Sequence, residues 1–404
     1  MKVAILYNGL YKADGTTLSI GGIETYLLRL AELINDLGWE SVIFQLADLD
    51  FERNINQVTV WGRSGISSES PAHDVRCFLT GCAEKWLAGG KGIIICGSEG
   101  LFEDSATKTI VIQHGVSWDL PSTNTSGVPG KFIRIIPPRY HGTALDLINR
   151  FRASRLNQLR RTWMATSNNS ARIEKFNRFM VCVDYNYLNV LKAQGKFSKA
   201  RTWIIPNFAQ LTEPGEFSRR RERATCVKIL FARRFIWYRG TRLIAPVFKR
   251  ILGVCPNVSI TFAGDGPDEN FLRNYFVDTE SVTFLKYSYD ESGDVLLSHD
   301  IAVIPSLGSE GTSLSAIEAM GAGCAVLATC VGGLTNIIID NYNGKLVMPS
   351  EEDLFLALHE LVTNIKLRHR LAERAYATVK ESLNIDLWRE KWRQVLEHVS
   401  QAQQ

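Results

Sequence analysis

The sequence predicts an α/β protein made of two doubly wound domains. A single hydrophobic core rarely organises a chain as long as 404 residues, so two domains are expected. Short apolar runs alternate with longer amphipathic stretches, which is the pattern of βαβ units that build parallel sheets. A polar and charged connector at 210–223 interrupts this alternation, and a new series of apolar runs begins after it. We therefore predict two parallel sheets joined near residue 210.

The first half of the chain predicts one of these sheets. Val3–Tyr7 is an apolar, strand-like run, and the stretch 22–37 has apolar residues at helical spacing before Gly38, which supplies a stop. The other apolar runs that predict strands are 42–45, 92–96, 109–113 and 179–183. We assign residues 1–209 to this domain.

The second half predicts a further sheet and a final helix. Its candidate strands are 227–232, 258–263, 282–285, 301–304, 325–328 and 344–347. The stretch 383–399 has an apolar stripe that includes Trp388 and Trp392, which indicates a helix packed on a core. We assign residues 210–382 to the second domain and 383–404 to a C-terminal helix.

Composition and charge exclude several classes of protein. With 45% hydrophobic and 22% charged residues, the chain has the composition of a soluble globular protein. Its apolar runs are far shorter than the ~18 residues that cross a bilayer, and the N-terminus lacks the pattern of a signal peptide. We therefore expect a cytoplasmic protein. A net charge of +4 is too small to indicate nucleic acid as a partner.

The eight cysteines and seven histidines show no metal-binding motif. No two cysteines form a C-x-x-C pair, and no H-E-x-x-H is present. We expect the cysteines to be buried, reduced thiols that pack as small hydrophobic groups. Neither a metal site nor a cofactor is predicted.

The segment after the predicted strand 301–304 carries most of the chemical information. Its small and hydroxyl residues leave the first amides of the next helix open, and these amides and the helix dipole bind phosphate well. Glu310 and Glu318 flank this position; if both were helical they would lie ~12 Å apart along the axis. That spacing suits a nucleotide sugar, with the sugar at one carboxylate and the ribose at the other. Taken without the surrounding residues, Glu310 and Glu318 have an alternative interpretation, namely two solvated acids on an ordinary capped helix. The candidate phosphate-binding residues are Gly311, Thr312, Ser313 and Leu314.

Two arginines follow the predicted strand 227–232. Arg234 and Arg239 lie on a loop at the carboxyl edge of the predicted sheet. There they can neutralise a diphosphate and stabilise it as a leaving group. A solvated basic loop is the alternative.

Two shorter features of the first half complete the candidate site. Gly21 and Gly22 begin the predicted helix, where glycine lets the backbone approach a phosphate. Glu24 is either a site residue or an ordinary first-turn acid. His114 follows the predicted strand 109–113 and precedes a glycine, although a lone histidine is more often structural.

Together these motifs resemble those of the retaining, family-4 glycosyltransferases with the GT-B fold. The resemblance rests on the E-x7-E motif at Glu310 and Glu318 and covers most of residues 1–350. It implies that Glu310 faces the donor sugar, that the amides of 311–314 hold the diphosphate and that Glu318 binds the ribose. The chain departs from the family in having Arg239 where lysine is usual and Arg233 where glycine is usual.

The resemblance also implies a fold and a reaction. Two facing Rossmann-like domains would enclose a cleft, and the C-terminal helix would cross back to the first domain. The chain would transfer a sugar from a UDP- or GDP-sugar, with retention and without metal, to a hydroxyl of a glycan or glycolipid. His114 would bind or position the sugar, and the product would belong to bacterial surface polysaccharide. A sugar-nucleotide epimerase, a phosphorylase of this architecture and a non-catalytic nucleotide-sugar-binding module are the alternatives.

A basic stretch in the first half indicates where an acceptor could come from. Eight Lys and Arg residues lie within Lys131–Trp163, and 145–163 has the pattern of a helix with a basic face. Basic amphipathic helices settle on anionic membrane surfaces. We expect this stretch to meet a membrane surface or lipid-linked acceptor, with a solvated helix face as the alternative.

Overall fold

The computed structural model describes residues 1–19, 21–88, 92–115, 178–193, 201–212, 226–287, 291–308 and 310–402. Within these residues the chain forms two α/β units, each built on one sheet, which confirms the predicted fold class. The basic stretch Lys131–Trp163 and most of the connector 210–223 lie outside the described residues. Among the helices described, none is long and apolar enough to cross a membrane.

The N-terminal sheet has eight strands in the order β3-β4-β2-β1-β5-β6-β7-β8. All neighbours are parallel except the hairpin β3–β4. The strands are β1 Lys2–Leu6, β2 Glu40–Leu46, β3 Phe51–Ile55, β4 Val58–Arg63, β5 Gly92–Cys96, β6 Lys108–Gln113, β7 Phe179–Cys182 and β8 Arg201–Ile204. The helices are α1 Gly22–Asp36, α2 Ala72–Leu87 and α3 Tyr185–Ala193.

Strand β1 shows why this sheet is buried on both faces. Successive side chains of a strand point to opposite faces. Val3 and Ile5 therefore belong to the core under α1, while Ala4 and Leu6 belong to the core under α2. Parallel strands covered on both faces are apolar without alternation, which is the pattern that predicted them.

The C-terminal sheet has six parallel strands in the order β11-β10-β9-β12-β13-β14. The strands are β9 Val227–Ala232, β10 Val258–Ala263, β11 Val282–Leu285, β12 Ile301–Ile304, β13 Ala325–Thr329 and β14 Lys345–Val347. The helices are α4 Thr241–Val254, α5 Glu269–Tyr275, α6 Ser292–Leu297, α7 Leu314–Gly321, α8 Glu351–Thr363 and α9 Ile365–Thr378. The strand order reverses between β9 and β12, and ligands of open α/β sheets bind at the carboxyl edge of such a switch point.

The chain passes between the domains twice, and the two crossings touch. The first crossing is the segment 205–212, and the second is the π-helical turn Val379–Leu383 that leads into α10, Ile385–Gln401. The Ala209 N–H donates to the Leu383 carbonyl at 2.9 Å, and the Ile385 N–H donates to the Ala209 carbonyl at 3.1 Å. These paired segments connect the two domains.

Helix α10 packs on the N-terminal domain through two tryptophans. Trp392 is fully buried, and its Nε1 donates to the Tyr26 hydroxyl on α1 at 2.7 Å. Trp388 meets Tyr26 edge-on, with ring centroids 5.1 Å apart. Both tryptophans belong to the same core as the α1 face of β1. The last helix of the chain therefore completes the first domain.

Replacing Trp392 by alanine should destabilise the protein by about 3–5 kcal/mol, the usual cost of removing a buried aromatic side chain. The cavity would also leave the Tyr26 hydroxyl without its donor. Urea unfolding followed by fluorescence and circular dichroism measures the change. Leu387→Ala on the same helix is the matched control because Leu387 is 38% exposed. An equal loss of stability in both variants would contradict the role given to Trp392.

Candidate active site

The two domains meet backbone to backbone at a pair of glycines. A Cβ on Gly115 would lie 2.6 Å from the Gly311 nitrogen, and a Cβ on Gly311 would lie 2.5 Å from the His114 carbonyl oxygen. Gly115 also has φ +122°, which side-chain-bearing residues rarely adopt. Glycine at both positions therefore allows the loop after β6 to contact the segment that precedes α7.

Thr312 fixes this contact by hydrogen bonds to two N-terminal segments. Its hydroxyl donates to the Val183 carbonyl at 3.0 Å and accepts from the Asn207 N–H at 2.9 Å. The Asn207 side chain returns a hydrogen bond to the Thr312 carbonyl at 2.5 Å. The start of α7 is thus held against the N-terminal domain, and the cleft is closed at this point.

Glu310 lies in a buried cluster of charge next to that contact. The residue is only 4% exposed, and one of its carboxylate oxygens accepts from the Ser306 hydroxyl and pairs with both Arg233 and Arg239. Burial would raise its pKa, but the two guanidinium groups outweigh burial and hold the pKa at about 2. Glu310 is therefore a carboxylate at every physiological pH.

The cluster offers two guanidinium groups to an anionic ligand. Arg233 and Arg239 share the single carboxylate of Glu310. The Nε of Arg233 is buried and has no hydrogen-bond partner within the described part of the chain. The side chain of Arg239 is 26% exposed against 4% for Arg233, so Arg239 is the member that a ligand can reach. The Nε of Arg233 and the partly exposed guanidinium of Arg239 can both donate hydrogen bonds to an anionic ligand at this place.

The structure separates the two arginines that the sequence paired. Arg239 contacts Glu310, whereas Arg234 is exposed and forms no ion pair with any residue described. Arg234 lies near Tyr7 of the N-terminal domain. Burial and the neighbouring Glu24 raise the pKa of Tyr7, and the charge of Arg234 acts in the opposite direction. The Tyr7 hydroxyl donates to Glu24 at 2.6 Å. Arg234 thus faces the opposite wall of the cleft.

The residue that sequence reasoning missed is Arg233. It donates to the Ser306 hydroxyl at 2.6 Å and, like Arg239, pairs with the predicted sugar carboxylate Glu310. The sequence did contain a signal, because arginine stands here where the similar family usually has glycine. Only the folded chain shows that this arginine points inward while Arg234 points outward.

Glu318 lies on the second turn of α7 and forms no ion pair with the residues that the structure describes. Its carboxylate accepts no hydrogen bond from the residues that the structure describes, and burial raises its pKa to about 7. The Tyr287 hydroxyl lies near the Glu318 carboxylate. Its pKa is raised to about 12, mainly by burial and then by the charge of Glu318. Helix α7 begins at Leu314, after Glu310, so the predicted axial spacing of the two glutamates does not apply.

We predict that nucleotide binding strengthens with pH through the titration of Glu318. Ribose hydroxyls donate stronger hydrogen bonds to a carboxylate than to a protonated acid, so affinity for UDP or GDP should rise by up to ~10-fold per pH unit below about pH 7 and level off above it. The free protein behaves in the opposite way. Because the folded state keeps this proton above the ordinary carboxyl pKa, its stability falls as the pH rises toward about 7.

Calorimetric titration at several pH values tests this dependence. Glu318→Gln is the matched control, since it keeps the size of the side chain and cannot ionise. Titration of the nucleotide phosphate occurs equally with both proteins and cancels in the comparison. The same pH dependence in the wild type and in Glu318→Gln would reject the assignment.

His114 contributes a neutral imidazole to the N-terminal wall. Burial lowers its pKa to about 4, so the ring is uncharged at neutral pH. Its Nε2 is buried and has no hydrogen-bond partner among the residues described. The ring meets Tyr26 edge-on with centroids 5.1 Å apart, and Tyr26 in turn contacts α10. A neutral, held imidazole suits the positioning of a hydroxyl group more than proton donation.

Two helix N-termini converge on the cleft from opposite domains. A Cβ on Gly22, at the start of α1, would lie 3.5 Å from the Leu314 side chain at the start of α7. A Cβ on Gly21 would lie 2.5 Å from a Glu24 carboxylate oxygen, so glycine leaves room for this acid. Neither Gly21 nor Ser313 caps its helix with a side chain. Open amides and aligned dipoles make such ends suitable for phosphate.

Residues 216–378 match the family model of glycosyl transferases group 1. The chain is 32% identical over 148 residues to an uncharacterized glycosyltransferase of Methanocaldococcus jannaschii, an alignment that covers 36% of this chain and 40% of that protein. It is 26% identical over 163 residues to the lipopolysaccharide 1,2-N-acetylglucosaminetransferase of Salmonella typhimurium, covering 37% and 43% of the two chains. The chain thus spans less than half the length of either relative.

The whole described fold is similar to that of a solved structure. Sucrose-phosphate synthase from Thermosynechococcus elongatus superimposes with a TM-score of 0.72 at 16% identity, covering 98% of both chains. Together with the two parallel-rich sheets, this similarity confirms the GT-B fold. The family match relates the C-terminal half of the chain to the group 1 glycosyltransferases.

Proposed function

We propose that this protein transfers a sugar from a nucleoside diphosphate, UDP or GDP, to a hydroxyl of an acceptor. One observation carries the proposal: two helix N-termini without side-chain caps converge beside the paired guanidinium groups of Arg233 and Arg239. A diphosphate matches that arrangement in charge and in its need for amide donors. The match to group 1 glycosyl transferases supports the same chemistry.

In the proposed reaction the protein stabilises charge on the leaving diphosphate. The amides of 311–314 and the guanidinium groups of Arg234 and Arg239 would receive that charge as the glycosidic bond breaks. Glu318 would hold the ribose, and Glu310 and His114 would orient the sugar. In this arrangement arginines and amides take the part of a divalent cation, so no metal is needed for transfer.

Retention of configuration is part of the proposal. The acceptor hydroxyl would attack the sugar on the same face from which the diphosphate departs, and the diphosphate would guide the hydroxyl to that face. The contact of Gly115 with Gly311 closes the cleft on one side, and closure excludes water that would otherwise hydrolyse the donor. Movement about the paired segments near Ala209 would open the cleft for exchange of substrates.

We propose a glycan or glycolipid as the acceptor, in bacterial surface polysaccharide synthesis on the cytoplasmic side of a membrane. The relative from Salmonella typhimurium is named for transfer to lipopolysaccharide, and the basic stretch Lys131–Trp163 suits an anionic surface. Co-sedimentation with liposomes of graded anionic lipid content, at low and high salt, tests the surface. No binding to anionic liposomes at low salt would reject it.

A panel of UDP- and GDP-sugars tests the reaction itself. Incubation of the protein with each donor, followed by chromatography of the nucleotides, should show one donor that releases its nucleoside diphosphate. We predict the same rate with a chelator present, and a strict requirement for Mg²⁺ or Mn²⁺ would contradict the mechanism. An epimerase would change the sugar instead, which NMR of the donor detects. A non-catalytic module would bind a donor and release nothing.

A further inference from the structure

A second cluster of reactive side chains lies on the N-terminal domain, outside the proposed transfer site. His73 and Cys77 are four residues apart on α2, so they share one face of the helix. Glu103 approaches them from the segment after the short turn Glu99–Leu101 that follows β5. This arrangement corrects two expectations from the sequence: Cys77 is exposed, and residues of metal-binding type do come together.

Two of the three distances within the cluster are close to those of a tetrahedral metal site. The His73 Nδ1 lies 3.2 Å from the Glu103 Oε2, and the Cys77 Sγ lies 3.7 Å from both ring nitrogens of His73. The three ligand atoms lie within 4.8 Å of one another. With bonds of about 2.0 Å to nitrogen and oxygen and about 2.3 Å to sulfur, a tetrahedral zinc ion needs N···O near 3.3 Å and N···S near 3.5 Å. The measured distances are close to these edges, and a turn of the His73 ring about its side-chain bonds would aim one nitrogen at the ion.

The ligand types favour zinc over the hard cations. A thiolate with an imidazole and one carboxylate suits Zn²⁺, whereas Mg²⁺ and Ca²⁺ prefer sites made of oxygen alone. The Arg76 Nε donates to the Glu103 carboxylate at 3.0 Å, and such second contacts orient a ligating carboxylate. His73 is 65% exposed on its side chain, so an ion can enter from solvent.

We propose that His73, Cys77 and Glu103 bind a zinc ion, with the fourth position open to water. The ion would join the first turns of α2 to the segment that carries Glu103, and it would stabilise that part of the domain. This site is independent of the proposed sugar transfer, which uses no metal. Searches for C-x-x-C or H-E-x-x-H do not find it, because its ligands are H-x3-C on a helix and an acid 26 residues later.

Cobalt titration of the purified, tag-free protein tests the site directly. Co²⁺ replaces zinc in tetrahedral sites, and a thiolate ligand gives it an intense near-ultraviolet band beside its visible bands. We expect both sets of bands to saturate at one equivalent and to disappear when Zn²⁺ is added. Cys77→Ser should abolish the near-ultraviolet band, and His73→Ala should weaken binding at least ~10-fold. Cys82→Ser, on the same helix and outside the cluster, is the matched control and should bind as the wild type does.

Thermal unfolding with and without Zn²⁺ gives a second measurement. A ligand that binds only the folded protein raises the Tm, so zinc should raise it for the wild type and Cys82→Ser and leave Cys77→Ser and His73→Ala unchanged. Wild-type protein that shows no cobalt bands and no zinc-dependent Tm would overturn the proposal. Unaltered bands in Cys77→Ser would overturn it equally, since they would place the ion elsewhere.

Discussion

Replacing Glu310 by alanine should lower sugar transfer by roughly 10²–10³-fold, the usual loss for one preorganised electrostatic contact. The structure predicts a loss of stability as well, because Glu310 is the carboxylate that balances Arg233 in the interior. Removing one partner of a buried ion pair costs about 3–5 kcal/mol.

Variants at both positions separate the two effects. Arg233→Met should also destabilise the protein, because it leaves Glu310 with fewer hydrogen bonds. The double variant Arg233→Met with Glu310→Gln removes the pair together and should recover part of the lost stability. Its transfer rate should stay low. Urea unfolding and transfer assays on the same preparations provide both measurements, and near-normal transfer by a folded Glu310→Ala protein would reject its place at the sugar.

Replacing Arg234 by alanine should give a comparable loss of transfer with almost no loss of stability. We expect roughly 10²–10³-fold slower transfer, because the guanidinium would no longer meet the charge that develops on the diphosphate. The free energy of unfolding should change by no more than about 0.5 kcal/mol, since the side chain is exposed. Arg234→Lys keeps the charge without the planar pair of donors and should be intermediate.

Arg250→Ala is the matched control for Arg234→Ala. Arg250 is an exposed arginine of the same domain that pairs with Glu352 on the surface. Its removal should leave transfer unchanged and lower stability by about 1 kcal/mol, because the guanidinium also stacks on Phe355. Equal transfer rates for Arg234→Ala and Arg250→Ala would show that Arg234 does not contact the diphosphate.

The predicted strands correspond closely to those in the structure where both faces of a sheet are covered. Runs such as Gly92–Cys96 and Ile301–Ile304 are apolar and buried throughout, so burial alone identifies them. The hairpin β3–β4 was not predicted because β3 is an edge strand. Its middle residues, Glu52, Arg53 and Asn54, are exposed and polar, which protects an edge and removes the apolar signal.

The candidate site was predictable in its residue types and less so in its contacts. Glu310, Glu318 and the segment 311–314 stand in consecutive sequence, so a motif can indicate them. The inward position of Arg233 and the contact of Thr312 with Val183 depend on how the domains meet. No local pattern encodes a contact between residues 129 positions apart. The cluster around Cys77 was missed for the same reason.

The packing of Trp392 against Tyr26 has a consequence for synthesis of the chain on the ribosome. The two residues are 366 positions apart, so the first domain emerges long before the helix that completes its core. At roughly 5–20 residues per second, the wait between residue 209 and Trp388 lasts about 10–40 s. During that time Tyr26, on the part of α1 that packs against α10, has no cover from that helix. A nascent chain stalled near residue 380 should therefore bind a chaperone that the finished protein ignores.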